Sequence, residues 1–325
     1  MPTKVRLTIP GALHHVMARG IAGRDLFQSD ADREMFLSFL GDSTKKTGYR
    51  CYAWVLMSNH YHLLLRASDQ PLMELMRGLN AKYARYFNRK HKQRGYVFQD
   101  RFKSIVTQDQ GYIESLVRYI HLNPIRAGVV RSMKELDHYR WAGHAVLMGK
   151  RSCDYQTTTD VLKRFGDTAE MARREYRRFV EKGINGVNEN PLVNAVRKAN
   201  LGTQSGHEHR LWVIGDPEFV RGALRKFDEK RLRLMRYQKE GWTLKRLHQC
   251  LAERIGIDQD TLLLRGRSNE RSEIRKLFAY IAVRQLGFTA TQAGRYLGIS
   301  TSAVSQSMQN GKTLLKKYML IKLIN

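Results

Sequence analysis

Two short motifs carry residue types that can work on a phosphodiester. The first is His60-Tyr61-His62, at the head of the apolar run Leu63-Leu64-Leu65. In a strand, residues i and i+2 project to the same face, so His60 and His62 point together and Tyr61 points away. Two converging imidazoles are half of a metal site. The pattern is short, and by itself it equally describes a pair of hydrogen-bonded strand histidines. The second motif is Tyr119-Ile120-His121-Leu122-Asn123-Pro124, which closes a helix. Tyr119 and Asn123 are four residues apart and share one helical face. An amide oxygen from Asn123 could complete a metal shell begun by His60 and His62. The Tyr119 phenol, an accepted covalent nucleophile, would then stand about one turn away. By itself this stretch equally describes a tyrosine packed on a sheet, with Asn123-Pro124 as a helix stop.

The elements that must position these groups alternate along the first 150 residues. Residues 12–18 read as a strand and residues 29–47 as a helix, opening on the cap candidates Ser29 and Asp30. Residues 50–57 and 60–67 are two strands joined at Ser58-Asn59, a hairpin. Residues 71–92 read as a helix with Pro71 in its first turn and Leu72, Leu75, Met76 and Leu79 on one face. A short strand at 101–107 and a helix at 110–122 complete the order β-α-β-β-α-β-α. A four-stranded antiparallel sheet with its helices on one face satisfies it. The fold class is α+β, a ferredoxin-like (split βαβ) catalytic domain, followed by an all-α helical region and a helix-turn-helix domain. The expected domains are 1–150, a helical basic linker region at 151–241, and 242–325. The stretches 183–190 and 202–209 are loops by composition, and 165–183 and 217–227 read as amphipathic helices.

Lys plus Arg total 57 against 30 Asp plus Glu, a formal net charge of +27 over 325 residues. That excess points to a polyanionic partner, nucleic acid first, and away from neutral metabolites. Cys51, Cys153 and Cys250 are far apart, with no CxxC pair, so neither a zinc ribbon nor a disulfide framework is expected. The N-terminal residues lack the apolar core of a signal peptide, and no run approaches the roughly 18 apolar residues of a membrane span. A cytoplasmic, nucleoid-associated protein is expected, as a monomer or homodimer. Basic and aromatic residues interleave between the two motifs: Arg77, Lys82, Tyr83, Arg85, Tyr86 and Arg89, then Arg94, Tyr96, Arg101 and Lys103. Such mixing suits single-stranded nucleic acid, where cations follow phosphates and rings stack on bases. Tyr83, Phe87 and Phe98 are expected in the core, and Arg101 and Lys103 at the DNA.

In order, Trp54-Val55-Leu56-Met57, Asn59-His60-Tyr61-His62-Leu63-Leu64, Arg94 through Lys103 and Tyr119 through Gly128 resemble the HUH single-strand endonucleases. The closer resemblance is to REP-associated tyrosine transposases of the IS200/IS605 kind, over about residues 8–141. Tyr61 fills the apolar position of the motif with a hydroxylated aromatic. The resemblance implies a divalent ion, Mg2+ or Mn2+, held by His60, His62 and Asn123, and attack by Tyr119 on the scissile phosphorus. A 5′-phosphotyrosine and a free 3′-hydroxyl follow, on palindromic or hairpin DNA such as REP elements. Imidazole ligands suit manganese better than magnesium. Relaxases and replication initiators of the same superfamily often carry two tyrosines on this helix, and Tyr112 lies seven residues before Tyr119.

Near the C-terminus, residues 289–309 fit a helix-turn-helix, with Gly298 in the turn, Ser300 as a cap and Gly294 at a tight helix contact. Thr301, Ser302, Ser305 and Gln306 are candidate base readers of duplex DNA, and Lys312, Lys316 and Lys317 candidate phosphate contacts. Residues 242–317 resemble the DNA-binding domain of the bacterial replication initiator DnaA. The likeness runs through a basic loop with Arg265, Arg267 and Arg271 and a long central helix at 274–286. That family's Gly-Arg-Asp-His-Thr-Thr-Val signature is here Gly298-Ile299-Ser300-Thr301-Ser302-Ala303-Val304, so the fold carries over and the initiator's own DNA specificity does not. The competing function is a DNA-binding regulator with a vestigial catalytic site. The joint presence of His60, His62, Tyr119 and Asn123 argues for the enzyme.

Overall fold

A computed structural model describes residues 8–109, 111–184, 213–223, 225, 236–237, 239–258, 262–263, 269–308 and 311–318. The chain divides into two compact units, 1–223 and 224–325. In the first, β1 (Leu13–Arg19) lies between β3 (His60–Arg66) and β4 (Lys103–Thr107), antiparallel to both. Strand β2 (Arg50–Leu56) pairs with β3 across the Met57–Asn59 connection, as the hairpin reading expects. The order β2-β3-β1-β4 is the split βαβ arrangement. A fifth strand, β5 (Val213–Ile214), joins β4 in parallel and has no counterpart in the sequence reading. Two residues are too few for a periodicity to register.

Helix α1 (Asp30–Thr47) opens on a capping box, in which the Ser29 side chain accepts from Asp32 N and Asp32 accepts from Ser29 N. It and α2 (Leu72–Lys90) cover one sheet face, burying Val16, Trp54, Tyr61 and Leu63. Tyr83 and Phe87 lie in this core, as expected, and Phe98 packs against it. The expectation that all helices share one face is corrected by α3 (Ile113–His121). It packs on the opposite face with Leu13, Ala53, Val55 and Leu64. The reason is in β2 and β3, whose side chains are apolar in both directions: 51–56 and 61–65 are buried throughout. A sheet that is apolar on both faces needs cover on both.

Residues 133–183 supply the rest of that cover. A short helix, α4 (Asn123–Arg126), follows α3, then α5 (Met133–His138), α6 (His144–Leu147), α7 (Thr159–Leu162) and α8 (Ala169–Glu181). Much of the expected linker region is therefore packed in the first unit. Gln156 is one anchor: it accepts from Trp54 Nε1 at 2.8 Å and donates to Tyr52 O and Gly143 O. Helix α8 turns Ala172, Tyr176 and Val180 inward, and Phe179 lies 4.3 Å from the Arg118 guanidinium carbon.

A buried hydrogen-bond chain ties α8 to α3. Burial pushes the pKa of Asp137 up, but hydrogen bonds from His144 and Arg177 outweigh it and hold the carboxylate below its ordinary range. An ionised carboxylate only accepts, so His144 Nε2 donates to it at 2.9 Å, and Arg177 Nε donates at 2.8 Å. Burial also keeps His144 and His121 uncharged. His144 Nδ1 is then an acceptor for the Tyr176 hydroxyl at 2.9 Å, and that oxygen accepts from His121 Nδ1 at 2.7 Å. Every proton in the chain is assigned by its neighbours, and His121 Nε2 is left as a buried acceptor without a partner among the described residues.

The second unit is helical: Leu244–Ile255, Asn269–Tyr280 running into a π-turn at Ile281–Gln285, Ala290–Leu297, Thr301–Ser307 and Gly311–Lys317. Its core gathers Leu247, Leu251, Leu277, Phe278, Leu297 and Val304. Gly298 turns the chain at φ +65°, and a Cβ on Gly294 would stand 2.7 Å from the Ile299 carbonyl oxygen. Ser300 accepts from Ala303 N at 3.2 Å. All three residues therefore occupy the places that the helix-turn-helix reading gives them. Among the described residues, no helix is long and apolar enough to cross a membrane.

Tyr176→Phe keeps the ring and deletes the shared hydroxyl, leaving His144 Nδ1 and His121 Nδ1–H unpartnered in the core. The expected loss is about 2–4 kcal/mol of stability, from about 1–3 kcal/mol per unsatisfied buried group. Urea unfolding followed by tryptophan fluorescence measures it, and an unchanged midpoint would contradict the assigned proton order.

Candidate active site

The alternation of β3 decides which side chains meet. His60, His62 and Leu64 face α3, while Tyr61 faces α1 and α2, where it is fully buried and donates to Asn80 Oδ1. The rings of His60 and His62 lie 5.1 Å apart, nearly perpendicular. Both line a cleft of about 500 Å3 together with Arg19, Arg101 and Lys103. The two cations expected at DNA are exposed there, so the structure brings them to the histidines. Burial lowers the pKa of His60, helped by Arg19, and lowers that of His62 well below its usual value. Both rings are uncharged at neutral pH.

Tyr119 is half-buried on α3, with its ring perpendicular to His62 at 6.1 Å and to His15 at 5.9 Å. It stands beside the cleft rather than in its lining. Tyr112 marks the N-terminal boundary of α3, packed against the same core. Asn123 donates from Nδ2 to the Tyr119 and Ile120 carbonyls at 2.8 and 3.1 Å. The shared helical face is thus expressed as a bond back onto α3, and no hydrogen bond joins Asn123 to either histidine.

Two residues that the sequence reading passed over belong to the site. Arg126 lies with its guanidinium carbon 5.0 Å from the Tyr119 ring centre and donates to the Tyr119 carbonyl at 3.2 Å. Burial lowers its pKa and the charge of Tyr119 raises it; an arginine remains cationic through such shifts. His15 lies 2.9 Å through Nε2 from His62 Nδ1, the rings stacked at 5.1 Å and 19°. The available signal for His15 was the pair His14-His15 inside a predicted strand, where one of two neighbours must face each side.

The donor chemistry suits a divalent cation. His60 Nδ1 is taken by Asn59 Oδ1 at 2.7 Å and His62 Nδ1 by His15, which leaves the Nε2 atoms of two uncharged imidazoles for an ion. Among the described residues no trio of His, Cys, Asp or Glu is grouped to hold a metal.

In the second unit, Thr301, Ser302 and Gln306 are exposed on the helix Thr301–Ser307. Ser305 is corrected: it is buried at 4% exposure, because it follows Val304 into the core-facing side of this helix. Lys317 is paired with Glu273 at 2.6 Å, Lys316 is exposed, and Arg271 is half-buried. Arg265, Arg267 and the side chain of Lys312 lie outside the described residues.

The site therefore joins a histidine pair on the central hairpin to a tyrosine on the helix after β4. Residues 9–123 match the family model described as "Transposase IS200 like". A solved structure described as "Structure of the REP associates tyrosine transposase bound to a REP hairpin" is similar at 14% identity and a TM-score of 0.39. The similarity covers 48% of this chain and 94% of that one. No curated protein matches the chain.

Burial lowers the pKa of His14 and of His15 from 6.5 to about 4. The unfolded chain protonates these rings near pH 6.5 while the folded state does not, so between those values the unfolded state binds more protons. Stability is full above pH 6.5 and falls as pH drops toward 4, by up to about 1.4 kcal/mol per pH unit for each ring. His14 bonds Ser104 Oγ at 3.0 Å on the side of β1 away from the cleft. Urea midpoints between pH 7 and pH 4.5 should fall less steeply in His14→Gln than in the wild type. Parallel curves would contradict the buried neutral ring.

Proposed function

We propose that the first unit cuts and rejoins single-stranded DNA through Tyr119, using a divalent cation, Mg2+ or Mn2+, held by His60 and His62. The observation that carries this reading is the perpendicular packing of Tyr119 on His62 beside the basic cleft. The phenolic oxygen attacks the scissile phosphorus, a Tyr119–phosphate bond forms, and the bond to the 3′-oxygen breaks. That oxygen leaves as the 3′-hydroxyl with a proton, and the 5′-phosphate stays on Tyr119. When bound, the cation supplies Lewis-acid polarisation of the phosphate. Arg126 favours the phenolate electrostatically, and Arg101 and Lys103 hold neighbouring phosphates in the cleft. Asn123, placed one turn from Tyr119, is the nearest amide oxygen in sequence for a further ligand. The covalent link preserves the energy of the phosphodiester, so a second 3′-hydroxyl reverses the step and strand transfer needs no ATP. Tyr119 packs on histidines of its own chain, so one copy holds the nucleophile and both imidazoles.

The second unit, in this reading, places the helix Thr301–Ser307 in a duplex major groove, with Thr301, Ser302 and Gln306 at base edges and Arg271, Lys312 and Lys316 at phosphates. The exposure of those three polar residues beside the buried Val304 and Ser305 supports it. Lys317, engaged by Glu273, is not among its phosphate contacts.

Incubation with a labelled hairpin-bearing single strand of REP type and Mn2+ should give a covalent protein–DNA band. Tyr119→Phe should lose that band and keep DNA binding. A band that persists and maps to Tyr112 would move the protein to the two-tyrosine scheme. For the second unit, Lys316→Gln should flatten the log–log salt dependence of duplex binding by about one unit, the share of one phosphate contact. An unchanged slope would place Lys316 in solvent.

A further inference from the structure

His60 and His62 serve one cleft, but their supports differ. His60 Nδ1 meets an amide oxygen, Asn59 Oδ1, at 2.7 Å. An amide oxygen only accepts, so His60 carries its proton on Nδ1 and its Nε2 is bare. His62 Nδ1 meets an imidazole nitrogen, His15 Nε2, at 2.9 Å. One proton lies between these two nitrogens, and either ring can own it. If His15 owns it, His62 must carry its own proton on Nε2, and a protonated nitrogen has no lone pair for a cation. If His62 owns it, Nε2 of His62 is bare, matching His60.

The surroundings favour the second arrangement. The register of β1 on β3 pairs Met17 with His62 and His15 with Leu64, so His15 is the diagonal neighbour of His62 on the cleft-side face. Stacking at 5.1 Å and 19° holds the two rings together. His15 is fully buried, and its Nδ1 has no hydrogen-bond partner among the described residues. With the proton on His62, that Nδ1 carries an N–H. Tyr119 is the ring packed edge-to-face on His15 at 5.9 Å, and a cation in the cleft requires the bare His62 Nε2 that only this arrangement leaves. His15 itself is not a cation ligand: its Nε2 is spent on His62.

We propose that His15 is a positioning residue whose Nε2 accepts the Nδ1–H of His62, fixing the tautomer in which His62 Nε2 is bare toward the cleft. His15 then does for His62 what Asn59 does for His60. This role rests on the reading of the histidine pair as a cation site. Supports of this kind are worth about 10–100-fold in metal affinity.

The test uses the full chain and Mn2+ alone, with affinity read by electron paramagnetic resonance and no DNA present. His15→Phe keeps a ring to stack on His62 and removes the acceptor, and its Mn2+ affinity should drop about 10–100-fold. His15→Gln places an amide oxygen near the position of Nε2 and should restore most of the loss. Nitrogen-15 resonances of histidine in the ion-free wild type, which need no variant to fold, should show His62 protonated at Nδ1. Wild-type affinity in a folded His15→Phe protein, or His62 protonated at Nε2, would overturn the role of His15 alone. A wild type that binds no Mn2+ would overturn the cation reading and this role with it.

Discussion

The pairing register between β1 and β3 is the constraint on which the site depends. Met17 opposite His62 and Arg19 opposite His60 set the cleft-side face of both strands at once. Because side chains alternate, a slip of one residue would send His60 and His62 into the core under α1 and α2 and bring Tyr61 out to the cleft. The apolar filling on each side resists that slip. Tyr61 and Leu63 are locked against Phe36 and the α2 residues, and Leu64 is locked against α3. The same register makes His15 the diagonal partner of His62, so an accident of strand spacing and a hydrogen bond reinforce each other.

Tyr119, carried on a helix, needs a second constraint, because α3 is only nine residues long and ends at a proline-containing turn. Its face toward the sheet is fixed by Leu116, Val117 and Ile120. Its other side is held by residues far along the chain: His121 bonds Tyr176, and Arg118 lies over Phe179. The hydrogen-bond chain that ends on Asp137 permits one proton order, so α8 binds α3 at a fixed rotation as well as a fixed distance. Residues up to Arg126 carry the groups of the candidate site, while residues 133–183 determine how firmly those groups are held.

The legible part of this protein was the part with period or pairing. The hairpin, the two crossover helices and the helix-turn-helix all have apolar spacing, caps or glycines that announce them, and β3 alternation placed His60 and His62 on one face before any coordinates. Arg101 and Lys103 were legible as charge in a basic stretch, and they line the cleft. What escaped was set by three-dimensional proximity. His15 became part of the site through a strand pairing, Arg126 through a helix break at Leu122, and β5 through two residues that carry no pattern. Helices on both faces were implicit in strands apolar in both directions, a feature visible in Tyr52 through Leu56 but outweighed by the simpler one-face solution. Ser305 was misplaced because it shares the core-facing side of its helix with Val304.

Charge and burial divide the work between the two sides of the cleft. The cations Arg19, Arg101 and Lys103 are exposed where they line the cleft. His62, His15 and Tyr119 lie further in: the two histidines are buried and uncharged, and Tyr119 is half-buried. Desolvation is what keeps the imidazoles neutral, and neutral imidazoles are the form that offers a lone pair to a cation. In the proposed cation site, the burial that makes His60 and His62 costly to protonate is the same feature that keeps their lone pairs available, and both effects would be lost together if α3 were lifted from the sheet.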